Sequence, residues 1–308
     1  MFVVYSSPTI DGISAAAIIL RYARLFKHEA KIGGFLAFSD AQKTFEDMTK
    51  QDKSIIFIAD FPPDQVQQLE PTLKEISTHN RIAYWNSSQK TSARAKEIVS
   101  KYARKTDFSE KCSAELAMTT LLPQDSVARE IAAIAHDYTS WLRKDARSQQ
   151  LNDIINAGFD KKELADMLSR GVFSSPRFSG ILNTYSEKKK QALNALMGSL
   201  LIKKYLTHSF GYVLADNHIP SAEAGEYLLS KHSGIDVAVL LYRDGRIIIR
   251  KRDSIPVDAS QIARNFRGGG HSYAAGGIIP EMKSITNDSY ERAVFIADRI
   301  MKDFFLRF

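Results

Sequence analysis

The stretch Gly268-Gly269-Gly270-His271-Ser272-Tyr273-Ala274-Ala275-Gly276-Gly277 constrains this chain more than any other. Three consecutive glycines have no Cβ and visit positive φ as readily as negative, so they mark a place where backbone approaches a ligand or another backbone closely. Such a run lets several N–H groups face one anion, and His271 adds a side-chain donor beside them. Its setting is also legible. Val257 to Phe266 is predicted to be a helix, with Asp258 as N-cap and Gln261 at the capping-box position. Before it, Val237–Tyr242, an Asp244-Gly245 turn and Ile247–Arg250 alternate as a β-hairpin. Arg243, Arg246, Arg250, Lys251, Arg252, Arg264 and Arg267 gather around this region, which makes Arg250 and Arg252 candidates for holding phosphate. The 42 basic and 35 acidic residues leave a net charge of +7, a modest tilt toward polyanionic partners.

The first half of the chain has a different rhythm. Phe2–Tyr5, Lys31–Phe38, Ser54–Ala59 and Arg81–Trp85 read as strands, separated by amphipathic segments Ser14–His28, Ala41–Lys50, Asp64–Ser77 and Ser92–Tyr102. Alternation of this kind predicts right-handed crossovers and a mostly parallel sheet with helices on both faces. Ligands then gather at the C-terminal ends of strands, which directs attention to the residues after Tyr5, Ala59 and Trp85. The pattern turns helical from Ala114 to Trp141 and again from Asp160 to Leu168, and a long proline-free stretch from Leu182 to Leu206 reads as one helix. The predicted architecture is therefore α/β. Residues 1–180 form the N-terminal domain, 181–207 a helical linker, and 208–308 a smaller C-terminal α/β domain with a closing helix over Tyr290–Phe305.

Composition removes several classes. The 308 residues suffice for two cores. Ala15–Leu20 and Ile55–Ala59, the longest apolar runs, fall far short of a membrane span, so no membrane is expected. The opening Met1-Phe2-Val3-Val4-Tyr5 begins like a strand rather than a secretory signal. A single cysteine, Cys112, leaves no internal disulfide framework and fits a reducing, cytoplasmic setting.

The order of hairpin, terminal arginine, short helix and GGGHSYAAG closely resembles the C-terminal substrate-binding domain of the DHH phosphoesterase superfamily. That superfamily includes RecJ-like exonucleases, nanoRNases and cyclic-dinucleotide phosphodiesterases. The resemblance implies that Arg250, Gly268, Gly269, Gly270 and His271 hold phosphates of a nucleic acid or nucleotide. It also implies an N-terminal domain with two Mn²⁺ or Mg²⁺ ions held by carboxylates and histidines at strand ends, since such a pair polarises phosphate and supplies a metal-bound hydroxide. Here this sequence departs from the family. The first motif, H-x-D-x-D-G, is represented by Ser7-Pro8-Thr9-Ile10-Asp11-Gly12, and the Asp-His-His motif by Asn86-Ser87-Ser88. Asp11, Asp60 after the third strand, and Asp137 are the residual metal ligands the resemblance leaves. No catalytic residue is assigned.

On this reading the chain is a catalytically degenerate family member, similar to an archaeal RecJ-like paralogue. The resemblance implies single-stranded RNA or DNA as a ligand and a protein partner, either an active DHH-family paralogue or a replication or repair complex such as GINS. The alternative is a metal-dependent phosphodiesterase or 3′–5′ exonuclease of short oligonucleotides, with Mn or Mg in a reduced site.

Overall fold

A computed structural model describes residues 1–37, 40–62, 70–87 and 92–306, in two compact units, Met1–Leu182 and Asn183–Phe308.

The first unit opens with β1 (Phe2–Ser6), α1 (Ile10–Leu25), β2 (Ala30–Phe35), α2 (Ala41–Thr49), β3 (Ile55–Ala59), α3 (Glu70–His79), β4 (Arg81–Trp85), α4 (Ala93–Tyr102) and β5 (Lys105–Asp107). The helical half follows as α5 (Ser113–Leu121), α6 (Ser126–Thr139), α7 (Ala146–Asn156) and α8 (Lys161–Ser169). The strands pair in the order β2-β1-β3-β4-β5, all parallel. Period-2 alternation decides which side chains go to which face. Val3, Tyr5, Ile56, Ile58, Ile82 and Tyr84 pack with Phe45 and Met48 of α2, Leu73 and Ile76 of α3 and Val99 of α4. Phe2, Val4, Phe57, Ala59 and Trp85 face the core built by α1 and α5 to α8. Ala15, Ala16 and Ala17 are all fully buried in α1, because small side chains let neighbouring helices approach on several sides. The expected parallel sheet covered on both faces is present. β5 escapes the sequence reading because Lys105-Thr106-Asp107 is a short polar edge strand with no hydrophobic alternation.

The boundary between units falls within α9 (Pro176–Gly198). The second unit continues with β6 (Leu201–Tyr205), β7 (His208–Ala215), α10 (Ser221–Lys231), β8 (Val237–Tyr242), β9 (Arg246–Lys251), α11 (Ala259–Arg264), β10 (Gly269–Gly270), β11 (Ala274–Ile278) and α12 (Tyr290–Phe305). Its sheet runs β10-β11-β9-β8-β7-β6, with only β7 and β8 parallel. α11, Phe266 just after it, and α12 cover one face through Ile262, Phe266, Val294 and Met301, and α10 covers the other through Ala224 and Leu228.

The helix expected over Leu182–Leu206 is corrected at its end: α9 stops at Gly198, and Leu201–Tyr205 is a strand paired with β7. Lys203 and Lys204 hide the alternation, since on an edge strand exposed lysines are tolerated and discourage pairing with other chains. The first part of the expected 64–77 helix lies outside the described residues, which resume at α3. Among the described residues no helix is long and apolar enough to cross a membrane.

Candidate functional site

The strand order 2-1-3-4-5 reverses direction between β1 and β3, and an open parallel sheet offers its natural crevice at that point. Ser7 and Thr9 follow β1, and Asp60 follows β3. Thr9 caps α1, accepting from the Gly12 amide at 3.1 Å. Gly12 has to be glycine, because a Cβ there would lie 2.3 Å from the Ser7 carbonyl oxygen. Asp60 takes a left-handed conformation, φ +53°, and is nearly buried. The Thr9 hydroxyl donates to its Oδ2 at 2.5 Å and the Ser7 hydroxyl approaches the same oxygen at 2.9 Å. The Ser7 hydroxyl also touches the Asp60 carbonyl oxygen. Ser7 and Thr9 therefore meet the Asp60 carboxylate as hydrogen-bond donors.

Asp11 is directed elsewhere. Its two oxygens accept from the amides of Ser113 at 2.9 Å and Ala114 at 2.8 Å, so a buried carboxylate caps the N-terminus of α5. An anion there offsets the positive end of the helix dipole. Asp137 accepts from the Lys144 amide at 2.8 Å and the Ser148 hydroxyl at 2.6 Å, bracing the turn between α6 and α7. Burial alone would raise its carboxyl pKa, but the Ser148 hydroxyl and the Lys144 and Asp145 amides overcome this and hold it below the ordinary range.

Among the described residues the group with three donor atoms close enough for one ion is Cys112, Glu115 and His136, and the three aspartates do not form such a group. That trio is built as a capping box: the Cys112 thiol accepts from the Glu115 amide, while Glu115 Oε2 accepts from the Cys112 amide at 3.0 Å and meets His136 Nδ1 at 3.1 Å. Burial, and then the charge of Asp11, push the Cys112 thiol far up, so it stays protonated. Asn86 and Ser87 are buried after β4, and Ser88 lies outside the described residues. The donor set does not fit a bridged pair of Mn²⁺ or Mg²⁺ ions. Each of the three carboxylates is turned to a different set of N–H or O–H donors.

In the second unit the glycine run forms one side of a hairpin. Gly269 pairs with Gly276 and Gly270 with Ala275, and β11 continues against β9 with Ala274 opposite Arg250. A β-turn closes the hairpin, with the His271 amide donating to the Ala274 carbonyl at 2.9 Å. The glycines are needed mainly for close approach. A Cβ on Gly268 would lie 1.9 Å from the Gly276 carbonyl oxygen, and one on Gly270, whose φ is +144°, would lie 2.6 Å from Ala275 Cα. Gly269 has open space where a Cβ would stand, so packing within the hairpin does not require glycine there. His271 stacks on Tyr273 with ring centroids 5.1 Å apart and planes 4° from parallel, and Tyr273 is half exposed.

Arg250, opposite Ala274 on β9, lays its side chain against α10. Its stem runs over Gly225, where a Cβ would stand 2.5 Å from Arg250 Cδ. Arg252 plays a different part, for its guanidinium donates to the carbonyls of Ile235 and His232, each at 2.8 Å, and of Leu229, closing the C-terminal end of α10. Arg246 pairs with Asp244 at 2.8 Å and Arg243 with Asn287 at 2.9 Å, so these too serve local structure. Arg264 and Arg267 are exposed around the glycine hairpin. Sequence reasoning missed Gly225 as the seat of Arg250 and Tyr273 as the ring beside His271. The first had no signal, while an exposed aromatic inside a glycine motif could have revealed the second.

Residues 212–303 match the DHHA1 domain family. A comparison with curated protein sequences finds no match. Among solved structures, the chain is similar to RecJ from Thermus thermophilus in complex with Mn²⁺, with TM-score 0.60 and 11% identity over 100% of this chain and 52% of that one. It thus spans about half the length of that relative. An exonuclease RecJ bound to manganese gives TM-score 0.60 at 12% identity, covering 100% of this chain and 90% of that chain. The pGpG-specific phosphodiesterase PggH from Vibrio cholerae gives 0.51 at 11% identity, with 98% and 100% coverage. Residues 212–303 of the C-terminal unit thus carry a DHHA1 domain, and the chain shares its fold with the RecJ and PggH structures.

Proposed function

We propose that this chain binds single-stranded nucleic acid through the hairpin of its DHHA1 domain and does not cleave it. The observation that carries the second half is the pair of hydroxyls, Ser7 and Thr9, on Asp60. A catalytic ion pair needs several anionic or imidazole ligands converging on it, and here two hydroxyls donate to Oδ2 of Asp60 at the switch point. The first half is supported by the DHHA1 match, by Gly269, where packing within the hairpin does not require glycine, and by Arg250 beside the hairpin. In the bound state Arg250 and His271 donate to phosphate oxygens while the hairpin amides approach closely, a contact that reads charge and shape rather than base sequence. By holding a strand in this way the chain serves an active nuclease partner or a replication or repair assembly.

The test measures fluorescence anisotropy of labelled single-stranded RNA and DNA against salt, for the parent and Arg250→Ala, followed by electrophoresis of the same oligomers after incubation with Mn²⁺. Binding that weakens with salt and with Arg250→Ala, and leaves the oligomers intact, is expected. Products formed by the parent and absent with Asp60→Asn would establish instead an exonuclease with a reduced metal site. Binding indifferent to Arg250→Ala would remove the hairpin from the interface.

A further inference from the structure

The N-terminal unit carries a cavity that none of the assignments above uses. It lies where α6 turns into α7, has a volume of about 130 Å³, and is lined by Tyr138, Trp141, Arg143, Asp145, Ser148 and Gln149. The turn is built against local preference. Trp141 follows the helix C-cap at φ +57° and Arg143 sits at φ +54°, left-handed positions where glycine or asparagine is the usual solution. Two large side chains held this way in three residues are backbone strain of the kind that gathers at ligand sites. Asp137 enforces it: its carbonyl accepts from the Leu142 amide at 2.9 Å, and its carboxylate holds Lys144 and Ser148.

Core packing does not explain Trp141. The other tryptophan, Trp85, is fully buried in the core, whereas Trp141 is partly exposed and belongs to no buried cluster among the described residues. Its ring meets Tyr138 edge-on, with centroids 5.7 Å apart at 71°, and the Arg143 guanidinium carbon lies 4.1 Å from its centroid. Aromatic faces with a stacked arginine form a surface for flat π systems. The polar lining is largely engaged within the protein. Asp145 pairs with Arg147 at 2.7 Å, Ser148 donates to Asp137, and Gln149 donates to Asp153 at 2.9 Å. Recognition here therefore rests on stacking, with little reading of hydrogen-bonding edges. Arg143 excludes a cationic guest, because a second positive charge over the same ring would be repelled.

We infer that the Tyr138–Trp141–Arg143 pocket is a subsite for one nucleobase, holding it by stacking and discriminating little between bases. The choice of a nucleobase rests on the nucleic-acid reading above, but the site lies in the other unit and answers to a different probe.

Nucleosides lacking phosphate isolate it. The full chain is titrated with adenosine and cytidine while tryptophan emission is followed. Trp85 supplies a buried, constant background, so saturable quenching reports Trp141. The expected result is saturable quenching by both nucleosides, its absence in Trp141→Phe, a weakening of roughly five-fold or more in Tyr138→Ala, and an unchanged response in Arg250→Ala. Trp141→Gly, which suits the left-handed position, is expected to keep the fold and lose the response. Quenching that rises linearly without saturation, that persists in Trp141→Phe, or that tetramethylammonium produces equally well would overturn the inference. Failure of strand binding with an intact nucleoside response would sink only the hairpin reading, and the reverse outcome only this subsite.

Discussion

The Thr9 hydroxyl donates to Oδ2 of Asp60 across the switch point of the parallel sheet, 2.5 Å away and 51 residues apart in sequence. Thr9 at the same time caps α1, so one side chain joins the helix start to the loop after β3.

This dual role suggests a restoration experiment. Thr9→Asp keeps a favourable N-cap but sets a second carboxylate against Asp60, and two close carboxylates do not both stay ionised without a cation. Mn²⁺ is expected to raise the melting temperature of Thr9→Asp by roughly 2–4 °C for each kcal/mol of binding, and to leave the parent unmoved. An equal shift in the parent would show that its own carboxylates already hold the ion.

Asp11 is expected to behave as a structural residue. Asp11→Ala orphans two buried amides at the start of α5. The loss of stability by urea denaturation is expected at roughly 2–4 kcal/mol, with Asp11→Asn losing about half as much. A change within 0.5 kcal/mol, roughly the scatter of neutral surface substitutions, would mean that the cap contributes nothing.

The three glycines should separate in mutagenesis. Gly268→Ala and Gly270→Ala collide with β11 and are expected to destabilise the second unit. Gly269→Ala meets open space, so stability is expected to stay within about 0.5 kcal/mol while affinity for single-stranded oligomers falls. Full affinity in Gly269→Ala would place the phosphate elsewhere.

Arg250 depends on Gly225. Gly225→Val fills the space its stem occupies and is expected to weaken strand binding as Arg250→Ala does, although the charge remains. Arg250→Ala itself is expected to lower the slope of log affinity against log salt by about one. Arg252→Ala, by contrast, is expected to lower stability through the end of α10.

The depressed carboxyl pKa of Asp137 gives a pH signature. A group whose folded pKa lies below its unfolded value of about 3.9 stabilises the fold above that pH and loses the contribution as pH falls through the folded value. The stability gap between parent and Asp137→Asn is therefore expected to be full at neutral pH and to shrink below about pH 4. A gap independent of pH would assign the effect to shape alone.

Much of the fold is legible in the sequence because burial follows simple periods. Phe2–Ser6 and Arg81–Trp85 send alternate residues to opposite faces, and Tyr290–Phe305 keeps one face buried along its length. Leu201–Tyr205 is not legible, since an edge strand has a partner on one side only and its lysines carry no period. The same limit applies at the site. Asp60 at a strand end and the glycine run stand out locally, but the capping of α5 by Asp11 joins residues more than 100 positions apart. The left-handed turn at Trp141 also has no glycine to announce it.

The most direct measurement incubates a labelled single-stranded oligomer with the protein and Mn²⁺, isolates the complex, and runs the recovered oligomer on a denaturing gel. Recovery at full length from a salt-sensitive complex is the expected result. Shortened products from the parent, absent when Asp60 is replaced by asparagine, would contradict it and make the chain a nuclease.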